Sequence, residues 1–386
     1  MSAAAPTDRL ARVRTRLVEQ GLDPTPSAVA AALRAEGGVL GDAEVLDVVT
    51  RLRREIVGVG PLEPLLRDPD ITDVLVNGPT EVWVDRGSGL AREEVRLGDE
   101  RAVRRLAQRL AAAAGRRLDD AAPYVDARLP DGTRLHAVLP PVAAAGTCMS
   151  LRVPRRIAFS LEDLLKSGSM EPTIARLVER IIGARLAFLV TGGTGTGKTT
   201  LLSTLLGLVD PSHRLLLVED SGELLPDHPH VLRLEARPPN LEGAGAVTLR
   251  DLVRQALRMR PDRVVVGEVR GAEVVDLLAA LNTGHEGGCG TLHANAVADV
   301  PARLEALASA AGMSREALHS QVAAGLDAVV HLARGRDGRR RVAEIGVFER
   351  STSGFVAAST AWSVDDSGRC SPGPAAGSLE RLLEQR

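Results

Sequence analysis

The sequence predicts an α/β protein: a parallel-sheet core in its second half, preceded by a smaller α+β domain. Two observations carry the core. From residue 170 onward, short apolar runs, LAFLV (186–190), LLLVED (215–220) and VVVGEV (264–269), alternate with helical stretches near 174–182, 198–208 and 248–258. Strands that are apolar almost throughout are those covered by helices on both faces. The first of these runs also leads straight into a glycine-rich turn and a helix, the arrangement of a phosphate-binding loop. A third observation marks the smaller domain: residues 71–155 carry β-branched runs broken by turn clusters, which is hairpin chemistry.

Taken in order, residues 1–56 read as a helical region, with Leu10, Val13 and Leu17, then Val29, Ala32 and Leu33, then Val45, Val48, Leu52 and Ile56 at helical spacing. An α+β domain follows over 57–150. ITDVLV and EVWVD flank Asn77-Gly78-Pro79, a helix carries Val103, Leu106, Ala107 and Leu110 on one face, and Pro130-Asp131-Gly132 turns VDARL back into TRLHAVL. Residues 151–168, RVPRRIAFSLEDLLKSG after Leu151, read as an inter-domain linker, and 169–350 as the α/β core. Near its end DAVVHLAR and RRVAEIGVFER flank Asp337-Gly338 as a hairpin. Residues 351–386, rich in Ser, Thr, Gly and Pro, read as a flexible tail.

At 386 residues and 44% hydrophobic, the chain is long enough for more than one buried core. The formal net charge of −2 provides no overall basic field for nucleic acid or anionic lipid. Cys148, Cys289 and Cys370 are odd in number and lack CxxC spacing, which argues against a disulfide framework. No run reaches the ~18 apolar residues of a membrane span and residues 1–30 lack a signal-peptide core, so cytoplasmic residence is expected. Lys166 and Lys198 are the two lysines, the other basic residues being Arg, so each lysine stands out.

Lys198 falls in TGGTGTGKTT (191–200), a GxxxxGKT loop. Gly192, Gly193, Thr194, Gly195, Thr196 and Gly197 let the backbone curl so that successive N–H groups face phosphate oxygens, and the following helix adds its positive N-terminus. Lys198 would neutralise phosphate charge, Thr199 would ligate Mg²⁺, and Thr200 continues the turn into the helix. Hydrolysis also needs acids near the terminal phosphate. Glu219, with Asp220 and Glu223 nearby, ends one apolar run, and Glu268, with Arg270, ends another. Strand C-termini converge on the ligand crevice in such sheets, so one carboxylate could position water while the other holds Mg²⁺ through water. TGHEGGCGTLHAN (283–295) adds His285 and His293 among glycines. Imidazoles there could sense a terminal phosphate or relay a proton. A zinc site from His285, Cys289 and His293 lacks a fourth ligand and the usual spacing.

With these segments in order, the chain resembles the secretion and pilus traffic ATPases, most closely the TadA/CpaF branch. The resemblance runs from about Val57 to about Phe348, through GVGPLEPLL (58–66), ITDVLVNGP (71–79), PYVDARLPDGTRLHAVLPP (123–141), GGTGTGKTT (192–200), VEDSGEL (218–224), RMRPDRVVVGEVRG (258–271) and TGHEGGCGTLHAN (283–295). It implies a RecA-like P-loop NTPase core and a homo-hexameric ring that hydrolyses ATP with Mg²⁺. It also implies docking on inner-membrane platform proteins of a Flp/Tad-type pilus or a type II/IV-like secretion system, with membrane association through those partners. Glu219 and Glu268 would serve hydrolysis, His293 would lie near the γ-phosphate, and His285 would couple the site to domain movement. Arg134, and Arg152 or Arg155, match the arginines that the N-terminal domain lends to the nucleotide. Two other classes stand beside this reading: a nucleotide-binding scaffold that does not turn over, and a DNA-translocating RecA-like ring. The second is disfavoured by near-neutral charge and 2% aromatic residues.

Overall fold

The structure, a computed structural model, describes residues 13, 16, 26–35, 59–87, 89–153, 158–237, 239, 244–335, 337–351 and 354–385. Of the first helical region it describes Val13, Arg16 and α1 (Pro26–Ala35); the predicted helix over 45–56 lies outside the described residues, as does Arg155. The chain divides into two compact units, Met1–Arg155 and Arg156–Arg386.

In the first unit, α2 (Glu63–Arg67) leads into a six-stranded antiparallel sheet. Its strands are β1 (Asp73–Val76), β2 (Val82–Asp85), β3 (Leu90–Glu93), β4 (Tyr124–Arg128), β5 (Arg134–Val138) and β6 (Cys148–Arg152), in the order β3-β2-β1-β6-β5-β4. α3 (Glu100–Ala113) begins at Asp99, whose carboxylate accepts the Ala102 N–H at 2.8 Å, a side-chain cap for an otherwise orphaned donor. Its buried Val103, Leu106, Ala107 and Leu110 share a core with Val74, Val84, Leu135, Ala137 and Leu151. One sheet face is thereby apolar. The alternate residues, including Arg134, His136 and Arg152, lie on the opposite face.

The second unit opens with α4 (Leu161–Lys166), fixed by a Ser160/Asp163 capping box, and α5 (Pro172–Gly183). The segment predicted as a linker therefore starts inside β6 and ends in a helix. The core is a nine-stranded mixed sheet in the order β15-β14-β13-β12-β7-β11-β10-β8-β9. Its parallel part comprises β7 (Phe188–Gly192), β8 (Leu215–Glu219), β9 (Val231–Glu235), β10 (Arg263–Val269), β11 (Cys289–His293) and β12 (Ala328–Arg334). α5, α6 (Lys198–Leu206) and the C-terminal α11 (Ala376–Glu384) bury Ile174, Ile181, Leu201, Leu205 and Leu379 against one face. α7 (Leu249–Ala256), α8 (Glu273–Leu281), α9 (Val300–Ala310) and α10 (Arg315–Gly325) cover the other. Both faces are dry, as the apolar strand runs require.

The predicted flexible tail is corrected by the structure. β13 (Arg340–Arg350) pairs with β12 as the expected hairpin, and β14 (Val356–Val364) and β15 (Cys370–Pro372) extend the sheet from it. α11 then docks through Leu379, which is fully buried, and Glu380, which takes a two-pronged ion pair from Arg180 of α5 at 2.8 and 3.0 Å. Small residues such as Ala358 and Ala361 fill the inward positions of β14, so its composition resembles a loop while its backbone is held by β13. The glycine-rich segment 283–295, in which no strand was expected, contains β11 in the middle of the sheet. Gly290 stands there because a Cβ would lie 2.7 Å from the Val266 carbonyl of β10.

Candidate active site

β7 ends at Gly192, and the chain curls through 193–197 into α6. Gly195 and Gly197 hold φ of +70° and +97°, values open to glycine and strained for other residues. Gly192 is required for a second reason: a Cβ would lie 2.5 Å from the Leu332 carbonyl of β12 and 2.7 Å from Thr196 Oγ1. Thr196 closes the loop by donating to the Gly193 carbonyl at 3.0 Å. Gly192, Gly193 and Thr194 also face a cavity of about 620 Å³ bounded by His293, Asn295, Asp299 just before α9, and Arg303 of α9. Thr199 and Thr200 follow Lys198 in the first turn of α6.

Lys198 is only 7% exposed. Its Nζ donates to the Gly192 and Gly193 carbonyls at 3.1 and 2.8 Å and lies 3.2 Å from His293 Nδ1. Burial lowers its pKa, Glu268 works against that shift and Arg270 adds to it. His293 is the last residue of β11, in register with Gly192 on the adjacent strand. Because Nδ1 faces an ammonium donor, the ring proton is assigned to Nε2, which lies 2.8 Å from Glu268 Oε1. Burial lowers the His293 pKa, with Lys198 adding to it, so the ring is neutral near pH 7.

Glu268 reaches this position through a break in pairing. The β10–β11 register shifts between Val266 and Val269, and Thr291 Oγ1 binds the displaced Gly267 carbonyl at 2.7 Å. Such bulges re-aim side chains beside functional sites. Burial pushes the Glu268 carboxyl up, but its bond to Arg270, with the charges of Arg270, His293 and Lys198, holds it below the usual carboxylate range. Oε1 is buried without an aligned donor, despite the nearby imidazole. A buried anionic oxygen with no aligned donor is suited to water, or to a cation through water.

Glu219 is placed differently from its sequence-predicted partners. Oε1 accepts the Glu223 and Leu224 N–H groups, both at 2.8 Å, and Oε2 accepts Arg233 Nε at 3.0 Å. The carboxyl, 2% exposed, is raised by burial in spite of those donors. It binds β8, the following turn and β9 together and packs against Gly267, whose Cβ would lie 2.8 Å from Glu219 Cγ. Glu219 thus supports the bulge that presents Glu268. Arg233, its partner, had no distinguishing signal in VLRLE beyond being a basic residue in an edge strand. Arg270 lies on the Glu268 carboxylate. His285 is corrected: it precedes β11, at the opposite end of that strand from His293, and its Nδ1 meets the Ala280 carbonyl at the end of α8, 3.2 Å away.

In the first unit Arg134 and Arg152 face each other across β5 and β6, and Arg128 of β4 pairs with Arg134 on its other side. Arg128, Arg233 and Arg340 carry no mark in the sequence. The Arg340 stem lies against Gly197, its Cδ 4.0 Å from where a Cβ would be. Among so many arginines, only strand register distinguishes these.

The residues fit a Mg²⁺-nucleotide. The glycine curl is a cradle that side chains would fill, and the Thr199 hydroxyl with the Glu268 carboxylate supplies oxygen donors of the hard type that Mg²⁺ takes. Among the described residues no group of three or more His, Cys, Asp or Glu side chains is arranged to hold a metal ion. Ligands from the protein would therefore be few, as is usual where phosphates complete the sphere.

Fold and site together define an α/β protein whose parallel sheet carries a P-loop-type glycine turn at the end of β7. Residues 55–359 match the family described as type II/IV secretion system protein, and the chain belongs to that family. A Mycobacterium tuberculosis relative, whose name includes the words conjugal transfer protein, is 60% identical over 333 residues, covering 85% of this chain and 94% of its own. The type IV secretion system protein PtlH of Bordetella pertussis is 32% identical over 313 residues, 74% of this chain and 92% of its own. Two solved structures share the fold. The Legionella pneumophila ATPase DotB has a TM-score of 0.53 at 20% identity, covering 74% of this chain and 79% of DotB. The pilus retraction motor PilT with bound ADP has 0.53 at 18%, covering 84% and 85%. Among the described residues no helix is long and apolar enough to cross a membrane.

Proposed function

We propose that this chain hydrolyses Mg-ATP as one subunit of a homo-hexameric motor. The motor would dock on inner-membrane platform proteins and drive Flp/Tad-type pilus assembly or type II/IV-like secretion. The observation that carries the reading is the run Lys198–His293–Glu268–Arg270 beside the glycine cradle, where a cation, an imidazole and a carboxylate meet at the ends of β7, β11 and β10.

The loop amides and the N-terminus of α6 bind the β- and γ-phosphates. Lys198 Nζ turns from two neutral carbonyls to a stronger anionic acceptor and neutralises charge on the phosphoryl oxygens. Glu268 Oε1 accepts the proton of the attacking water, and its low pKa keeps it ionised to do so. His293 Nε2 stands 2.8 Å from that carboxylate while Nδ1 faces Lys198, so the neutral ring lies between the base and the phosphate-binding cation. Bound Mg²⁺, held by Thr199 and through water by Glu268, would supply further charge neutralisation. Arg134 and Arg152 contribute guanidinium groups to nucleotide phosphates in the assembled ring. Glu219 acts through the bulge at Gly267, as a positioning residue.

Steady-state phosphate release with ATP and Mg²⁺ tests the reading. The wild type should turn over and Glu268→Gln should fall to background while still binding ATP. Equal background rates for both would leave a scaffold instead.

A further inference from the structure

One buried ionisable side chain beside the cradle has no part in that mechanism. His331 of β12, 3% exposed, is in register with Thr191 of β7, the residue just before the phosphate loop. Thr191 Oγ1 and His331 Nδ1 are 2.9 Å apart, both side chains fully enclosed. The Asn295 backbone, two residues beyond His293, also acts on this ring, favouring its proton. The next residue of β12, Leu332, puts its carbonyl against Gly192, where a Cβ would clash at 2.5 Å. The β12–β13 register also shifts between His331 and Leu332. One imidazole thus grips the strand end from which the phosphate loop springs.

We propose that His331 is a positioning residue, whose ring clasps Thr191 and so fixes the end of β7 that aims Lys198 at His293. Lys198 Nζ is held by the Gly192 carbonyl, one residue after Thr191, and its contact with His293 Nδ1 is 3.2 Å, close to the limit of a useful hydrogen bond. A displacement of about 1 Å between reacting groups is enough to cost ~10²-fold in rate. The clasp acts on the alignment at the terminal phosphate, whereas the amide cradle for the diphosphate lies in residues 193–197 and is untouched by it. In the neutral ring Nδ1 accepts from the Thr191 hydroxyl, which leaves the ring proton on Nε2. Burial favours that neutral form, Glu344 and Asp299 oppose it, and Lys198 supports it.

This inference rests on the reading of the site as one that hydrolyses ATP. The test uses the full chain with Thr191→Val, His331→Leu, their double variant, and His331→Asn, whose amide keeps an acceptor near the Nδ1 position. Val330→Ala, a buried neighbour on the same strand, serves as the control for stability alone. Thr191→Val and His331→Leu should each lower kcat about tenfold with ADP affinity within about twofold, the double variant should be no worse than either, and His331→Asn should recover part of the loss. Additive effects, equal losses in kcat and ADP affinity, or losses matched by Val330→Ala at the same change in Tm would overturn the clasp. A second readout needs no turnover. Ring ¹⁵N shifts of His331, assigned by their loss in His331→Asn, should report the Nε2–H form and move in Thr191→Val. An unchanged Nδ1 shift in Thr191→Val would overturn the clasp as well. A wild type without ATPase would sink the functional reading and leave the ¹⁵N experiment to decide the clasp.

Discussion

Lys198 Nζ has three neighbours and no carboxylate among its hydrogen-bond partners. A buried cation held by carbonyls is poised for an anion, and its removal takes away charge that nothing nearby replaces. Lys198→Ala should therefore reduce phosphate release by at least ~10²-fold; activity within a few-fold of wild type would refute the role. The two glutamates should separate. Glu268→Gln should lose turnover with a smaller fall in urea midpoint than Glu219→Gln, because the ion pair it gives up, to Arg270, is largely exposed on the arginine side. Glu219→Gln removes the anion that accepts two N–H groups and Arg233, and should cost about 1–3 kcal/mol of stability, read as a lower midpoint. A pH effect follows for His331. Burial depresses its folded pKa below the unfolded value of ~6.5, so the unfolded chain binds the extra proton in that window. Stability is unaffected above the unfolded pKa and falls as pH drops through it towards the folded value. The wild-type urea midpoint should thus decline more steeply than that of His331→Asn between about pH 7 and 5, and parallel curves would contradict it. At this scale the sequence disclosed Lys198, Thr199, Glu268 and His293, because a motif and strand ends mark them. The roles of Glu219 and His331 were not legible: one depends on which N–H groups its carboxylate meets, the other on a parallel pairing 140 residues away in sequence.

Elements follow a similar division. β7, β8 and β10 announce themselves by β-branched and leucine runs, and α6 by the loop that precedes it. β11 and β14 do not, since close approach to neighbouring backbone and small inward residues determine their sequences. Both are open to test by mutation. Gly290→Ala places a methyl group against the Val266 carbonyl and should destabilise by about 1–3 kcal/mol, seen as a lower Tm. Leu379→Ala, in a segment whose composition suggests a tail, should cost about 2–5 kcal/mol because α11 is part of the core. A change in Tm too small to resolve would return residues 376–384 to the tail that the sequence suggested.

On the scale of the whole molecule, the account makes the ring part of the enzyme. Solution mass with ATP and Mg²⁺ should be six-fold that of the 40.7 kDa chain. Arg152→Ala should lower turnover of that assembly more than nucleotide affinity of isolated subunits, and equal effects on both would count against a role in the ring. The motif order disclosed the family, while partner and cargo have no trace in composition. The central claim concerns chemistry at one carboxylate. Phosphate release by wild type and Glu268→Gln, measured beside ATP binding by each, addresses it most directly. The account predicts retained binding and lost turnover in the variant; turnover preserved within a few-fold would contradict it.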